Sequence, residues 1–189
     1  MTAPVLFCDI DGVLAPIGAT GLPAPHKIID GGGWNGHVIV VPSVIDRLRD
    51  LHRAGRIEIR WLTSWENDAA TNFAPAVGMD SYPANRSIDA ELDPASPDRD
   101  WWKERLVRVF VRDEPSQKFI WADDEIAERG ALTTDLSEHG LLLRPNPYVG
   151  LTDIEFDAIE NFLEGFPTVS RELAIQALEE AKHLLLARS

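Results

Sequence analysis

One cysteine, Cys8, stands in 189 residues. A single thiol excludes an internal disulfide framework and any metal site built of cysteines alone, and it fits a reducing compartment. Basic residues are scarce: 18 Lys and Arg face 31 Asp and Glu, a formal net charge of −13. General attraction to phosphate backbones needs clustered Lys and Arg, so bulk nucleic-acid binding is disfavoured as a default. No stretch reaches the roughly 18 consecutive apolar residues of a bilayer span. The opening MTAPVLFCDIDG has no basic region ahead of its short apolar stretch, so no secretory leader is expected. The expected location is cytoplasmic, with no membrane partner. Internal repeats and low-complexity tracts are absent, and the five histidines show no metal-ligand spacing.

What is present is ordinary for a globular chain: 44% apolar and 26% charged residues, at a length that suits one domain. Short apolar runs alternate with longer amphipathic ones, which predicts βα units and a mainly parallel sheet. Val5–Cys8 reads as a buried central strand. About thirty residues rich in Gly and Pro follow, including Gly31-Gly32-Gly33-Trp34-Asn35-Gly36, and there Val38–Val41 predicts one arm of a hairpin flap. That glycine run lacks the Lys-Ser/Thr end of a P-loop. Pro42–Ala54 predicts a helix stopped by Gly55, Ile57–Leu62 a strand, and Trp65–Phe73 a further helix. Residues 74–98, broken by four prolines, read as a loop-rich insertion with a short strand near Met79–Tyr82. Asp100 is placed to cap a helix reaching about Val111, and Lys118–Ala122 and Leu141–Leu143 read as strands. Thr152 and Glu155 have capping-box spacing, with Leu151 and Phe156 as the hydrophobic staple. Ser170 caps a last amphipathic helix, Arg171 to Ala187, which either packs on its own domain or pairs with a second copy to make a homodimer. The division expected is one main domain over 1–167 and this helix over 168–189.

Acidic residues gather where these strands end. Asp9 and Asp11 flank Ile10 just after the first strand, and Asp123-Asp124 follow the strand ending at Ala122. In open α/β sheets ligands bind at that edge. Two carboxylates beside a buried strand repel and lose hydration unless a cation neutralises them, and Mg²⁺ typically takes one or two carboxylates plus a substrate phosphate. A strand-to-turn junction also brings Asp and Gly together, and Asp and Glu also favour helix N-termini. Two such clusters at adjacent strand ends favour the metal cradle. Cys8, inside the strand, reads as a small inert hydrophobe, and Trp34, Trp65, Trp101 and Trp102 mostly as packing residues.

Asp9-Ile10-Asp11-Gly12-Val13-Leu14 resembles the first motif of the haloacid dehalogenase (HAD) superfamily, and Ile59–Thr63 the second, a strand ending in Thr or Ser. Phe119–Asp124 resembles the fourth, a strand ending in paired aspartates. The third, a helix-borne lysine, is matched best by Lys103, with Lys118 as runner-up. Trp61–Trp65, Trp121–Asp124 and Val149–Thr152 are similar to compact bacterial and phage domains related to the phosphatase-like domains of multifunctional RNA-repair proteins. The resemblance runs from about Val5 to Phe162.

This resemblance implies a three-layer α/β Rossmann-like parallel sheet with a flap and minimal cap, and a Mg²⁺-dependent phosphatase. It makes Asp9 the nucleophile and Asp11 the general acid and then base, Asp11 also offering its backbone carbonyl to the metal. Thr63, with Ser64 beside it, and Lys103 would bind the phosphoryl group, and Asp9, Asp11, Asp123 and Asp124 would hold Mg²⁺. Members that cleave carbon–halogen bonds work without this arrangement, so dehalogenation is not expected. The implied substrate is a phosphorylated small molecule or a nucleic-acid end, reached through an open site. The rival reading is a phosphate- or partner-binding module without turnover.

Overall fold

The computed structural model describes residues 2–18, 25–31, 36–84, 101–128 and 134–165. Four strands, β1 (Val5–Cys8), β4 (Glu58–Trp61), β5 (Phe119–Ala122) and β6 (Gly140–Leu143), form one sheet in the order β4-β1-β5-β6, all parallel. β1 and β5 are buried at every position, as parallel strands covered on both faces must be.

The alternation of side chains along these strands sorts them into two cores. Leu6, Cys8, Ile59, Trp61, Ile120 and Ala122 point to one face. There they meet Val44, Ile45, Leu48 and Leu51 of α1 (Pro42–Arg53) and Phe156 and Ile159 of α3 (Asp153–Leu163). Val5, Phe7, Phe119 and Trp121 point to the other, against Val107 and Phe110 of α2 (Trp102–Asp113). Phe7 and Phe110 meet edge-on, ring centres 5.0 Å apart. Each such fully buried side chain contributes about 1.5–3 kcal/mol. The result is a three-layer α/β sandwich, as expected.

The expected flap is a two-stranded antiparallel hairpin, β2 (Lys27–Asp30) with β3 (His37–Val40), closed by Gly31 N–H donating to the Gly36 carbonyl at 2.7 Å. The Thr152 capping box also forms: the Glu155 carboxylate accepts from Thr152 N at 2.8 Å and Thr152 Oγ1 accepts from Ile154 N at 3.3 Å.

Three expectations change. Trp65–Phe73 is not one regular helix: a turn leads into a π-helical stretch at Ala69–Phe73 and then one turn at Ala74–Ala76. Ala74 N–H reaches back five residues to the Ala69 carbonyl, and Pro75, with no N–H, cannot restore the regular ladder. Met79–Tyr82 is not a strand. A single bridge joins Ala84 to Trp61, with Trp61 N–H donating to the Pro83 carbonyl at 2.9 Å, and Pro83 has no N–H to extend a ladder. Finally, α2 starts one residue later than Asp100 would place it. Trp101 is extended at the N-cap with no side-chain cap and lies against the Trp121 ring at 4.8 Å, so its burial sets the start. Asp100 and the last helix, from Ser170 on, lie outside the described residues. Among those described, no helix is long and apolar enough to cross a membrane.

Candidate active site

β1 pairs with β4 and β5 so that Cys8 lies opposite Trp61 and Ala122. The ladder runs one residue further: Asp9 N–H donates to the Ala122 carbonyl at 3.0 Å and Leu62 N–H to the Cys8 carbonyl at 2.9 Å. Asp9 and Asp123 are therefore neighbours in one row at the carboxyl edge. Continuing the alternation of Phe7 and Trp121 turns both toward the α2 face. Lys103, in the first turn of α2, meets them there. Its Nζ donates to Asp9 Oδ2 at 2.5 Å and to Asp123 Oδ2 at 2.8 Å. The helix is pinned by Val107 and Phe110 and by Arg108, which joins Glu104 at 2.7 Å and Asp135 at 2.6 and 3.0 Å.

These groups are almost dry. The side chains of Lys103 and Asp9 are each 6% exposed and that of Asp123 is fully covered. Burial raises the Asp9 pKa, with Lys103 and the Thr63 hydroxyl pulling the other way. Asp123 is pushed up to about 8, first by burial and then by the charge of Asp9. Burial also raises half-buried Asp124. Lys103 stays charged, because Asp9 and Asp123 outweigh the effect of burial and hold it above the ordinary lysine range. Cys8 is fully buried, and burial, reinforced by Asp9, pushes its thiol well up.

Oxygens of Asp9, Asp123 and Asp124 lie within 4.8 Å of one another. With all three carboxyls ionised, one ammonium would leave two negative charges without a partner in a desolvated site, and the donors are all hard oxygens. Asp9 Oδ1 takes the Ile10 N–H (2.7 Å) and Asp123 Oδ1 the Glu125 N–H (3.1 Å), and each carboxylate oxygen has a second lone pair. The residues thus fit a divalent cation of the Mg²⁺ type. Gly12 makes room for the third carboxylate: at φ +69° it lies so close to Asp124 that a Cβ there would stand 2.6 Å from Asp124 Cγ.

Asp11 stands apart from this cluster. Its Oδ2 accepts the Trp65 indole N–H at 2.8 Å, and its side chain is not one of the three clustered carboxylates. Thr63 is buried, its Oγ1 accepting from Trp65 N at 3.4 Å. Ser64 is exposed. Lys118 lies at the opposite, amino end of the sheet, its carbonyl accepting from Val5 N, and is remote from the carboxylates that Lys103 bridges. The sequence reading missed Trp65 as more than packing. Its position two residues past Thr63 is the sole signal, because the direction of an indole N–H is not written in a sequence.

Comparison with known proteins finds no match among curated proteins and none among solved structures. A family model described as the HAD domain in Swiss Army Knife RNA repair proteins matches residues 5–156, from the first residue of β1 into α3. That span holds all four sheet strands, the Lys103 bridge and the three clustered carboxylates, and the chain belongs to this HAD family.

Proposed function

We propose that this chain is a Mg²⁺-dependent phosphohydrolase that forms an aspartyl-phosphate on Asp9, acting on phosphomonoesters of nucleotides or polynucleotide ends. The observation that carries this reading is the Lys103 ammonium bridging Asp9 and Asp123 with Asp124 beside them. Such a set joins a nucleophile, a fixed cation and a metal cradle, and phosphoryl transfer asks a protein chiefly for positioning and charge stabilisation.

Asp9 attacks phosphorus, and Asp11, outside the cluster, gives a proton to the leaving oxygen and later takes one from water. Lys103 holds Asp9 in place and offers positive charge to the transferring group, while the Thr63 hydroxyl donates to a phosphoryl oxygen. Asp9, Asp123, Asp124 and the Asp11 carbonyl would hold Mg²⁺, which would supply neutralisation of the phosphoryl charge when bound. The flap's strands are four residues each, a small cover that suits a substrate with a bulky leaving group. The net charge of −13 opposes binding along an extended polyanion, so a terminal phosphate suits the site better than an internal one.

The test is phosphate release from 4-nitrophenyl phosphate with Mg²⁺, with EDTA, and with Asp9→Asn, followed by mononucleotides and 3′- or 5′-phosphorylated oligonucleotides. Mg²⁺-dependent release abolished by Asp9→Asn is the expected result. Absent release together with retained Mg²⁺-dependent phosphate binding would replace the enzyme with a binding module.

A further inference from the structure

Trp65 is 5% exposed, and its one polar atom is spent on the side chain of Asp11. The bond joins residues 54 apart in sequence, one past the end of β1 and the other past the end of β4. The indole is held from several sides. The Phe73 ring meets it edge-on at 5.5 Å, and the Thr63 hydroxyl accepts from its backbone N–H at 3.4 Å. Gly31, at the turn end of the flap, lies so close that a Cβ there would stand 2.7 Å from Trp65 Cη2 and 2.9 Å from Cζ3. The next residue, Glu66, has φ +49°, the one positive φ at a non-glycine residue among those described. Backbone held in that region persists where the surroundings over-determine it.

An indole N–H donates and cannot accept. The Asp11 oxygen that it meets must therefore offer a lone pair, and a proton on this carboxyl sits on the other oxygen. We infer that Trp65 is a positioning residue for Asp11, fixing which oxygen carries the transferable proton, and that Gly31 lets the turn end of the flap seat the indole in that place. This inference rests on the phosphohydrolase reading for its chemistry. In the first step the Asp9 oxygen bonds to phosphorus while the bond to the leaving oxygen breaks. The leaving oxygen keeps the electron pair and takes the proton from Asp11 Oδ1. In the second, water attacks phosphorus, its proton returns to Asp11, and the Asp9–phosphorus bond breaks to release inorganic phosphate.

A group that only keeps the fold would slow all substrates alike, whereas one that places a general acid matters most where the leaving oxygen is basic. Two variants of the full chain, Trp65→Phe and Gly31→Ala, are assayed with Mg²⁺ on 2,4-dinitrophenyl phosphate and phenyl phosphate. The expected result for both is a kcat/KM on phenyl phosphate lower by about 10- to 100-fold, with kcat/KM on the dinitrophenyl ester changed by less than about 3-fold, because kcat/KM reports departure of the leaving group and not the later hydrolysis of the aspartyl-phosphate that both esters share. In an Asp11→Asn background neither substitution should add a further loss, because residues acting through one group are not additive. Equal losses on both esters, or multiplying losses in the Asp11→Asn background, would overturn the inference. A second readout needs no turnover. In ¹H–¹⁵N spectra the Trp65 indole cross-peak, assigned by its disappearance in Trp65→Phe, should shift in Asp11→Ala, and an unmoved peak would also overturn it. Wild type without Mg²⁺-dependent release would sink the phosphohydrolase reading instead, while a shifted cross-peak in the same protein would still establish the Trp65–Asp11 bond.

Discussion

Replacing Lys103 by Met keeps the length of the buried side chain and removes its charge. The ammonium is the partner of both Asp9 (2.5 Å) and Asp123 (2.8 Å), in a site where no side chain of the three exceeds 6% exposure. Breaking a buried ion pair from one side costs about 3–5 kcal/mol, because the remaining charge is left unpaired. For a chain of this size each kcal/mol moves Tm by about 2–4 °C, so the melting temperature should fall by roughly 6–20 °C. The loss should depend on pH, and its sign follows from the carboxyls. Native Asp123 is held up to about 8, against about 3.9 for an unfolded aspartate, so between those values the native state holds a proton that the unfolded chain has released. Stability therefore falls as pH rises through that window. Without Lys103 the carboxyls keep their protons to still higher pH. At pH 5 the variant then carries little extra buried charge and loses about 1 kcal/mol of hydrogen bonding, with the full loss appearing above pH 8. Urea denaturation in EDTA at pH 5 and pH 8.5 measures both. A loss under about 1 kcal/mol at pH 8.5, or equal losses at the two pH values, would refute the account of Lys103 as the charge that holds the pair together.

Other perturbations test separate parts of the site and fold. Gly12→Ala places a methyl 2.6 Å from Asp124 Cγ at φ +69°. It should cost about 1–2 kcal/mol in backbone strain and weaken Mg²⁺ binding about 10- to 100-fold in calorimetry; an unchanged Kd would remove Asp124 from the metal site. Asp123→Asn, melted in EDTA from pH 4 to 8, should gain on wild type as pH rises, because an unfolded aspartate ionises above about 3.9 while native Asp123 is held up to about 8, and an amide ionises in neither state. Parallel curves would contradict that assignment. Thr152→Ala removes the hydroxyl half of the α3 capping box and should cost about 1 kcal/mol in urea denaturation, with no change in Mg²⁺ affinity.

Much of this protein was legible before any coordinate. Val5–Cys8 and Phe119–Ala122 are the two strands buried at every position, and uninterrupted apolar runs of that length, ended by Asp, mark central parallel strands. The Thr152–Glu155 pair marks a helix start because its hydrogen bonds close within one turn of chain. Of the elements that read wrongly, the α2 start is set by a distant partner and the stretch after Trp65 by a nearby proline. Trp101 is drawn out of the α2 start by Trp121, and the stretch after Trp65 widens into a π-helix ahead of Pro75.

The sequence by itself determined the alternation of strands and helices, the placement of Asp9, Thr63 and Asp123 just beyond strand ends, and the HAD resemblance. These are matters of local order along the chain, which propensity and periodicity record. Only the tertiary structure decided that Lys103 and not Lys118 meets the carboxylates, since both lysines flank plausible elements and only the packing of α2 against Phe7 and Trp121 brings one to the carboxyl edge. It alone joined Asp11 to Trp65 and set Asp124 against Gly12. Those contacts depend on strand register and on which way a side chain turns, and both are set by long-range packing that a linear pattern does not encode.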